Sequence, residues 1–275
     1  MNDNYVHKED GIVYIDENIP GPKEKNNEYI SLIELCNSQL THSCNCGVKC
    51  EENICDCLKI SGGVNYTSHS ESHYLKLYKK NKNVMLTYPI IECSAHCKCS
   101  EKCGNRLVQN GPIGTLYVTT CKEKSIGLGL FTNKFIAKGT FICEYAGEVI
   151  TKSEAIRRQQ YNENKRKMNY IFCLNEHVSG GTIQIFIDPS MFGNIGRYIN
   201  HSCEPKSEII PVRVNSPIPK LAVFSCVDIF PNEEITFDYG ASYLTNSSKS
   251  QDLNNGKTCL CGSKICRGYM PHNVY

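Results

Sequence analysis

Long apolar runs are missing from this chain: none approaches 18 residues, so no membrane-spanning helix is expected. No apolar signal segment begins at Met1, and secretion is not expected either. Tryptophan is absent, and so is a charge excess, since 30 basic and 28 acidic residues leave a formal charge of +2. With 40% hydrophobic content, the 275 residues predict a soluble chain with one hydrophobic core.

The small net charge gives little support for a nucleic-acid-binding face. Short basic groups occur at 79–82 and 165–167, but such groups are more often solvated loops. Direct DNA binding is therefore not expected to be the primary activity. It stays open for the cysteine-rich region, where a salt-dependent affinity would reveal it.

Cysteine, in contrast, is abundant, with 18 in the chain. Nine of these fall into two clusters separated by a polar stretch of 35 residues: Cys44, Cys46, Cys50, Cys55 and Cys57, then Cys93, Cys97, Cys99 and Cys103. Tetrahedral zinc takes four ligands, so nine thiolates saturate three ions if three sulfurs bridge. The spacing predicts a trinuclear zinc cluster. The alternative is a disulfide framework, which an even cysteine count in a short secreted chain would favour.

A second, sparser set of cysteines lies near the C-terminal end. Cys259, Cys261 and Cys266 supply three ligands, and Cys203 is the best candidate for the fourth. We expect one zinc ion here, which would pin the tail against the segment that carries residue 203. So many reduced thiols require a reducing compartment, the cytosol or the nucleus.

The chain divides into four parts and a linker. We predict an N-terminal docking segment (1–43) with an apolar patch at 29–33, a cysteine module (44–105) whose interior at 62–83 is a loop, a mostly β domain (106–243), a linker (244–257) and a zinc tail (258–275). Strands are predicted at 115–120, 129–132, 140–145, 170–174, 183–187, 220–226 and 234–237. One helix is predicted at 153–162, capped by Thr151 or Ser153.

Four motifs in the β region are hard to explain as packing. They read SIGLG at 125–129, FICEYAGE at 141–148, GNIGRYINHSCEP at 193–205 and EEITFDYG at 233–240. In this order, flanked by both cysteine modules, they resemble the SET-domain protein lysine methyltransferases with a nine-cysteine pre-SET module and a cysteine-type post-SET tail. The resemblance extends from about residue 30 to 272. It implies a mostly β SET fold of short strands with a knot-like C-terminal crossing, flanked by the two zinc modules.

The resemblance implies methyl transfer from S-adenosylmethionine to a lysine amine, which must be neutral to attack. A free lysine has a pKa of about 10.4, so only roughly one in a thousand is neutral at pH 7, and a narrow apolar channel would lower that pKa. Aromatic walls desolvate the amine and tolerate its methylated cations. By resemblance, the walls are Tyr145, Phe172, Phe237 and Tyr239, with Tyr269 closing the channel from the tail. Tyr239 resembles the catalytic tyrosine, and Phe237 occupies the position that controls the number of methyl groups, which favours di- and trimethylation.

The cofactor contacts follow from the same resemblance. Ile126, Gly127 and Leu128 would offer backbone groups to the methionyl moiety, Tyr170 and Arg197 would contact its carboxylate end, and Asn200 and His201 would bind the adenine and ribose end. The alternatives are a buried ion pair for Arg197 and a core role for His201. Glu144, Glu148 and Asp238 are interpreted as structural, and Cys121, Cys143, Cys173 and Cys226 as small core residues.

Three positions depart from the family pattern. Leu128 stands where tryptophan is common, Tyr198 where phenylalanine is usual, and Lys206 where asparagine is common. The first removes a flat surface near the cofactor. Lys206 raises a question of geometry, because it follows the proposed ligand Cys203 by three residues. None of the three removes a reacting group.

The expected partner is a histone H3 tail in chromatin, so the expected location is the nucleus and the chromosome. Pre-SET and post-SET modules together resemble enzymes acting on lysine 9 of H3. A likeness at 193–205 and 210–214 to a branch of the family that is fused to a mariner transposase brings lysine 36 into contention. The alternatives are a methyltransferase for a non-histone lysine and a zinc-rich chromatin scaffold that no longer turns over.

Overall fold

The computed structural model describes residues 5–7, 9–69, 72–77, 88–178, 180–240 and 257–271, and these are mostly β. The strands are β1 (Val13–Tyr14), β2 (Ile19–Pro20), β3 (Tyr66–His69), β4 (Ser72–Leu77), β5 (Ile90–Ile91), β6 (Leu116–Thr120), β7 (Leu128–Thr132), β8 (Phe141–Glu144), β9 (Glu148–Ile150), β10 (Phe172–Val178), β11 (Gly181–Asp188), β12 (Phe192–Gly193), β13 (Asn200–His201), β14 (Ser207–Arg213), β15 (Lys220–Ser225) and β16 (Thr236–Phe237). The α-helices are α1 (Asn27–Asn37), α2 (Asp56–Ile60) and α3 (Lys152–Asn164), and 3-10 turns lie at Val108–Asn110 and Ile195–Tyr198. None of these helices is long and apolar enough to cross a membrane.

Two four-stranded sheets enclose the main core. One has the order β10-β11-β9-β2 and the other β5-β14-β15-β8. The centre of β15 is an unbroken apolar run, and its residues 221–224 are all fully buried, as expected for a strand covered on both faces. Two-stranded pairs, β6-β7 and β13-β16 among them, complete the β domain.

The pairing of β13 with β16 is parallel, with Asn200 opposite Thr236 and His201 opposite Phe237. Strand β16 therefore lies alongside the part of the GNIGRYINHSCEP motif that forms β13. This crossing brings Phe237 and Tyr239 next to His201. The predicted SET fold of short strands between cysteine modules is confirmed.

The N-terminal segment contacts the body through a helix and two short strands. The apolar patch at 29–33 lies in α1, whose first turn is capped by Asn26, since its side-chain oxygen accepts from the Tyr29 amide at 2.7 Å. Leu32 and Leu35 pack against the main core. Both strands pair in parallel with strands of the β domain, β1 with β12 and β2 with β9.

All seven predicted strands overlap observed ones, and the predicted helix at 153–162 lies within α3, capped by Thr151. The loop predicted at 62–83 is wrong in part, because β3 and β4 form an antiparallel hairpin there. The hairpin is anchored at its base, where Tyr66 and Leu77 are buried in a second core cluster. The predicted linker lies outside the described residues as far as residue 256.

The residues interpreted as structural behave accordingly. Cys121 and Cys143 are buried, and Cys173 and Cys226 are partly buried. Each of the three carboxylates forms an ion pair: Glu144 with Lys220 at 2.9 Å, Glu148 with Arg158 at 2.7 Å and Asp238 with Arg267 at 2.6 Å.

Candidate active site and metal centres

Four of the five predicted channel residues form one aromatic cluster. Ring centroids of Phe237 lie 5.9 Å from Tyr145, 6.4 Å from Phe172 and 4.7 Å from Tyr239. The rings meet at inclined angles, which suits their quadrupoles. Phe237 is placed by β16 and Phe172 by the start of β10, so the two sheet regions converge on this cluster.

The two tyrosine hydroxyls of the cluster are held by backbone carbonyls. The Tyr239 hydroxyl donates to Ile199 O at 2.9 Å, and the Tyr145 hydroxyl donates to Tyr170 O at 2.6 Å. Burial raises the pKa of both phenols above the ordinary value. Both hydroxyls therefore stay neutral at physiological pH.

The glycine motif forms an open wall beside the cluster. Gly127 has φ of +90°, and a Cβ atom there would meet no heavy atom within 4 Å. Only glycine adopts this backbone without strain, and the open space leaves room for a ligand to approach the backbone. Gly129 is different, since a Cβ would lie 2.7 Å from Cys121 Sγ and from Glu234 Oε1.

The Asn200 side chain is fixed by this wall. Its amide nitrogen donates to Leu128 O at 3.0 Å and to Glu234 Oε1 at 2.8 Å. Glu234 also accepts from the Cys121 thiol at 3.3 Å. The carboxylate of Glu234 thus sets the orientation of the predicted adenine-binding amide.

Arg197, which the resemblance predicts to contact the cofactor carboxylate, is buried. Its guanidinium carbon is 4.9 Å from the ring centroids of both Tyr170 and Tyr198. Its Nε donates to Pro189 O at 3.1 Å, and its Nη1 pairs with Glu9 at 2.8 Å. Arg197 therefore forms an ion pair with Glu9, whose side chain is 43% exposed, and keeps its contact with Tyr170.

Tyr198, one of the three departures, uses its extra hydroxyl in the N-terminal contact. His7 Nε2 lies 3.0 Å from Gly193 O, so this nitrogen carries the proton, and Nδ1 accepts from the Tyr198 hydroxyl at 2.9 Å. Lys206, three residues after the proposed ligand Cys203, pairs its ammonium with Glu233 at 2.8 Å.

Both ring nitrogens of His201 are engaged within the protein. Nδ1 accepts from the Tyr239 amide at 3.2 Å, so Nε2 carries the proton and faces Cys203 Sγ at 3.5 Å. Burial lowers the pKa of His201, which agrees with a neutral ring. His201 is thus placed between the aromatic cluster and the tail.

Eight of the nine cysteines of the first module fall into three groups of four, in each of which the sulfurs lie within 4.8 Å of one another. The groups are Cys44, Cys50, Cys55 and Cys93; Cys44, Cys57, Cys93 and Cys97; and Cys50, Cys93, Cys99 and Cys103. Cys46 is buried but belongs to none of these groups. Sets of four close thiols are the donor set of structural zinc, so the residues fit the metal that the spacing predicted.

The predicted tail site is also assembled. Cys203, Cys259, Cys261 and Cys266 form a fourth group with sulfurs within 4.8 Å. Tyr269, predicted to close the channel, is 45% exposed, and within the described residues its ring joins none of the contacts of the aromatic cluster. Its closing role stays a prediction.

Three residues near these sites were not predicted from the sequence. Glu234 lies inside a recognised motif, which could have identified it. Arg106 donates to Cys99 Sγ at 3.6 Å and follows the last cluster cysteine by three residues, a weak signal. Glu9 lies 188 positions before Arg197 in a segment without a motif, and no sequence signal pointed to it.

Family models match two parts of the chain: a SET domain model covers residues 127–240, and a pre-SET motif model covers residues 2–106. Among curated proteins, the chain is 41% identical to histone-lysine N-methyltransferase SETMAR of Bos taurus, over 86% of this chain and 76% of that protein. It is 36% identical to probable histone-lysine N-methyltransferase set-23 of Caenorhabditis elegans, over 94% of this chain and 95% of that protein.

Solved structures give the same result. The methyltransferase domain of human SETMAR superposes with a TM-score of 0.75 at 35% identity, covering 94% of this chain and 89% of that one. KRYPTONITE in complex with mCHH DNA, an H3(1-15) peptide and SAH superposes with a TM-score of 0.68 at 26% identity, covering 95% of this chain and 48% of that one.

Proposed function

Because the chain belongs to the SET-domain histone-lysine N-methyltransferases, which are S-adenosylmethionine-dependent, we propose that its substrate is a lysine of the histone H3 tail. Lysine 9 is favoured and lysine 36 is the next candidate. The observation that carries the proposal is the aromatic cluster of Tyr145, Phe172, Phe237 and Tyr239, with both tyrosine hydroxyls fixed to carbonyls.

The cluster suits a neutral lysine amine and its methylated products. Buried aromatic rings raise the cost of the ammonium form and lower the lysine pKa, while their faces attract the methylated cations. The Tyr239 hydroxyl is held by Ile199 O and presents its oxygen to the amine. S-adenosylmethionine would supply the methyl group when bound.

The residues proposed to hold the cofactor fit it. The open backbone at Gly127 suits close approach of the methionyl group, and Arg197 with Tyr170 suits its carboxylate. Asn200 is oriented toward the same wall by Glu234. We assign the adenine and ribose end to Asn200 and His201.

We propose three zinc ions in the first module and one in the tail. Three sulfurs are shared between groups and lie close together: Cys44 to Cys50 is 3.7 Å, Cys44 to Cys93 is 4.0 Å and Cys50 to Cys93 is 3.6 Å. These are the bridging thiolates. With these three sulfurs as bridges, two of the ions each have two terminal cysteine ligands. The third ion has one terminal ligand, Cys55, so we assign Cys46 as its second terminal ligand.

The preference for lysine 9 has two supports. The chain carries both cysteine modules, and a structural neighbour binds a peptide of residues 1–15 of H3, which includes position 9 and not position 36. Phe237 leaves the cluster without a hydroxyl at that position, which favours di- and trimethyl products. Action on H3 places the enzyme on nuclear chromatin.

An array of histone-tail peptides with mass readout tests the proposal, because it reports activity, target lysine and methylation number together. We expect di- and trimethylation on peptides that contain lysine 9. Transfer only to peptides that contain lysine 36, or only to non-histone proteins, would contradict the assignment. Binding of cofactor with no transfer of labelled methyl to recombinant H3 would identify a chromatin scaffold instead.

A further inference from the structure

An arginine of the tail reaches the residue next to the proposed catalytic tyrosine. Arg267 follows Cys266 directly, and its Nη2 lies 2.6 Å from Asp238 Oδ1. The Arg267 amide also donates to Cys203 Sγ at 3.4 Å. One tail residue therefore contacts both a cysteine of the tail metal site and the neighbour of Tyr239.

Asp238 fixes the backbone around Tyr239. Its Oδ1 accepts from the Gly240 amide at 3.0 Å. His201 in turn accepts from the Tyr239 amide and faces Cys203. The side chain of His201 is only 2% exposed, so its ring has little freedom to move.

We infer that Arg267 and Asp238 are positioning residues that couple the assembled zinc tail to Tyr239 and His201. The path has two branches that begin at the tail metal site: Arg267 to Asp238, and Cys203 to His201. Both end on the backbone of residues 238–240. This inference rests on the proposed function of Tyr239 and His201, and it concerns how the tail acts on them.

If the tail acted only because Tyr269 closes the channel, the contacts of Arg267 and Asp238 would have no effect on the site. In that case the ion pair would be an ordinary surface pair, since Arg267 is 42% and Asp238 21% exposed, and such pairs add little. The chain offers a matched control: Lys206 pairs with Glu233 at 2.8 Å, with exposures of 31% and 37%, and the two residues flank the same crossing. The Lys206 pair makes no contact with Tyr239 or His201 among the described residues.

The experiment compares Arg267→Gln, Asp238→Asn, the double variant and Lys206→Gln as full-length, zinc-loaded proteins. Affinity for S-adenosylhomocysteine is measured by calorimetry, zinc per chain by elemental analysis, and kcat and KM by methyl transfer. We expect each of the first two variants to lose about fivefold in cofactor affinity and in kcat, the scale of one partly exposed ion pair. The double variant should lose no more than either single one, because both remove the same interaction.

Zinc content should stay at the wild-type value in all four proteins, and Lys206→Gln should match the wild type. Wild-type affinity and kcat in Arg267→Gln would overturn the inference, and so would additive losses or loss of the tail zinc. Cofactor affinity needs no protein substrate, so a wild type that methylates no histone peptide would overturn the proposed function and leave this measurement valid.

Discussion

Removing the Tyr239 hydroxyl is the most direct test of the proposed site. Tyr239→Phe keeps the ring 4.7 Å from Phe237 and 5.3 Å from His201. It deletes one hydrogen bond, 2.9 Å long, to Ile199 O. The aromatic wall therefore remains while the group that orients the amine is lost.

The structural cost of this change is small compared with the catalytic cost. Loss of the hydroxyl leaves the Ile199 carbonyl without that partner, which costs about 1 kcal/mol of folding free energy and lowers Tm by roughly 2–4 °C in a chain of this size. Loss of a preorganised polar contact lowers turnover by roughly 10²–10³. The two effects are separable, because the first leaves the protein folded at 25 °C.

Tyr66→Phe is the matched control. The Tyr66 hydroxyl is also buried and donates to Glu92 Oε1 at 2.8 Å, far from the aromatic cluster in sequence and in a different core cluster. Glu92 keeps other donors, among them the Val108 amide at 2.6 Å. We expect this variant to lose similar stability and no turnover. Thermal unfolding and single-turnover methyl transfer provide both measurements, and a Tyr239→Phe enzyme with turnover within threefold of the control would refute the role of the hydroxyl.

Four further outcomes are expected. Elemental analysis should give four zinc ions per chain, and chelation should unfold the cysteine module, since structural zinc contributes on the order of 10 kcal/mol per site; two ions or fewer, with disulfides by mass, would contradict this. Truncation after Thr258 should abolish methyl transfer but leave the zinc of the first module, whereas full activity would show that the tail is dispensable. Phe237→Tyr should give mainly monomethyl product with activity retained, because each added methyl needs volume and removes an N–H donor; an unchanged product mixture by mass spectrometry would rule out this account. Finally, kcat/KM should rise from pH 7 to 9 because the substrate lysine loses its proton over that range. Tyr239 should not reverse this rise, since burial raises its pKa and keeps its hydroxyl protonated; a bell-shaped profile centred near pH 7 would contradict this.

The metal sites were the most predictable part of the fold. Thiolate spacing alone predicted both cysteine sites, because few other interactions require four sulfurs in close proximity. Sharing of sulfurs was also expected from the count of nine, and Cys44, Cys50 and Cys93 are the residues that recur among the three groups. The position of Cys46 outside the three groups had no counterpart in the spacing.

Strand β14 was the clearest omission in the sequence prediction. Pro211 interrupts its apolar run, and proline normally disfavours an interior strand because it donates no hydrogen bond. The structure accommodates it because β5 pairs only with Val212 and Arg213, so Pro211 needs no donor on that side. Such an arrangement depends on the length of a neighbouring strand, which local sequence does not reveal.

Contacts between segments that are distant in sequence account for the remaining features that the sequence did not predict. Glu9 pairs with Arg197 and His7 with Tyr198 across nearly 190 positions. Glu9 and His7 look like ordinary surface residues in their own sequence context. The tyrosine hydroxyl at position 198 was noticed as a departure, but only the fold supplies the histidine that accepts from it.

The segment from 195 to 203 connects every part of the site. Arg197 joins the N-terminal segment, Asn200 joins the glycine wall, His201 joins Tyr239, and Cys203 joins the zinc tail. Because the 3-10 turn at Ile195–Tyr198 is buried, displacement of any one of these contacts must move neighbours that serve the others. Cofactor binding and zinc binding at the tail are therefore expected to reinforce each other, since both select the same conformation of one short segment. We therefore expect the tail to act on the reaction by fixing the geometry of the site.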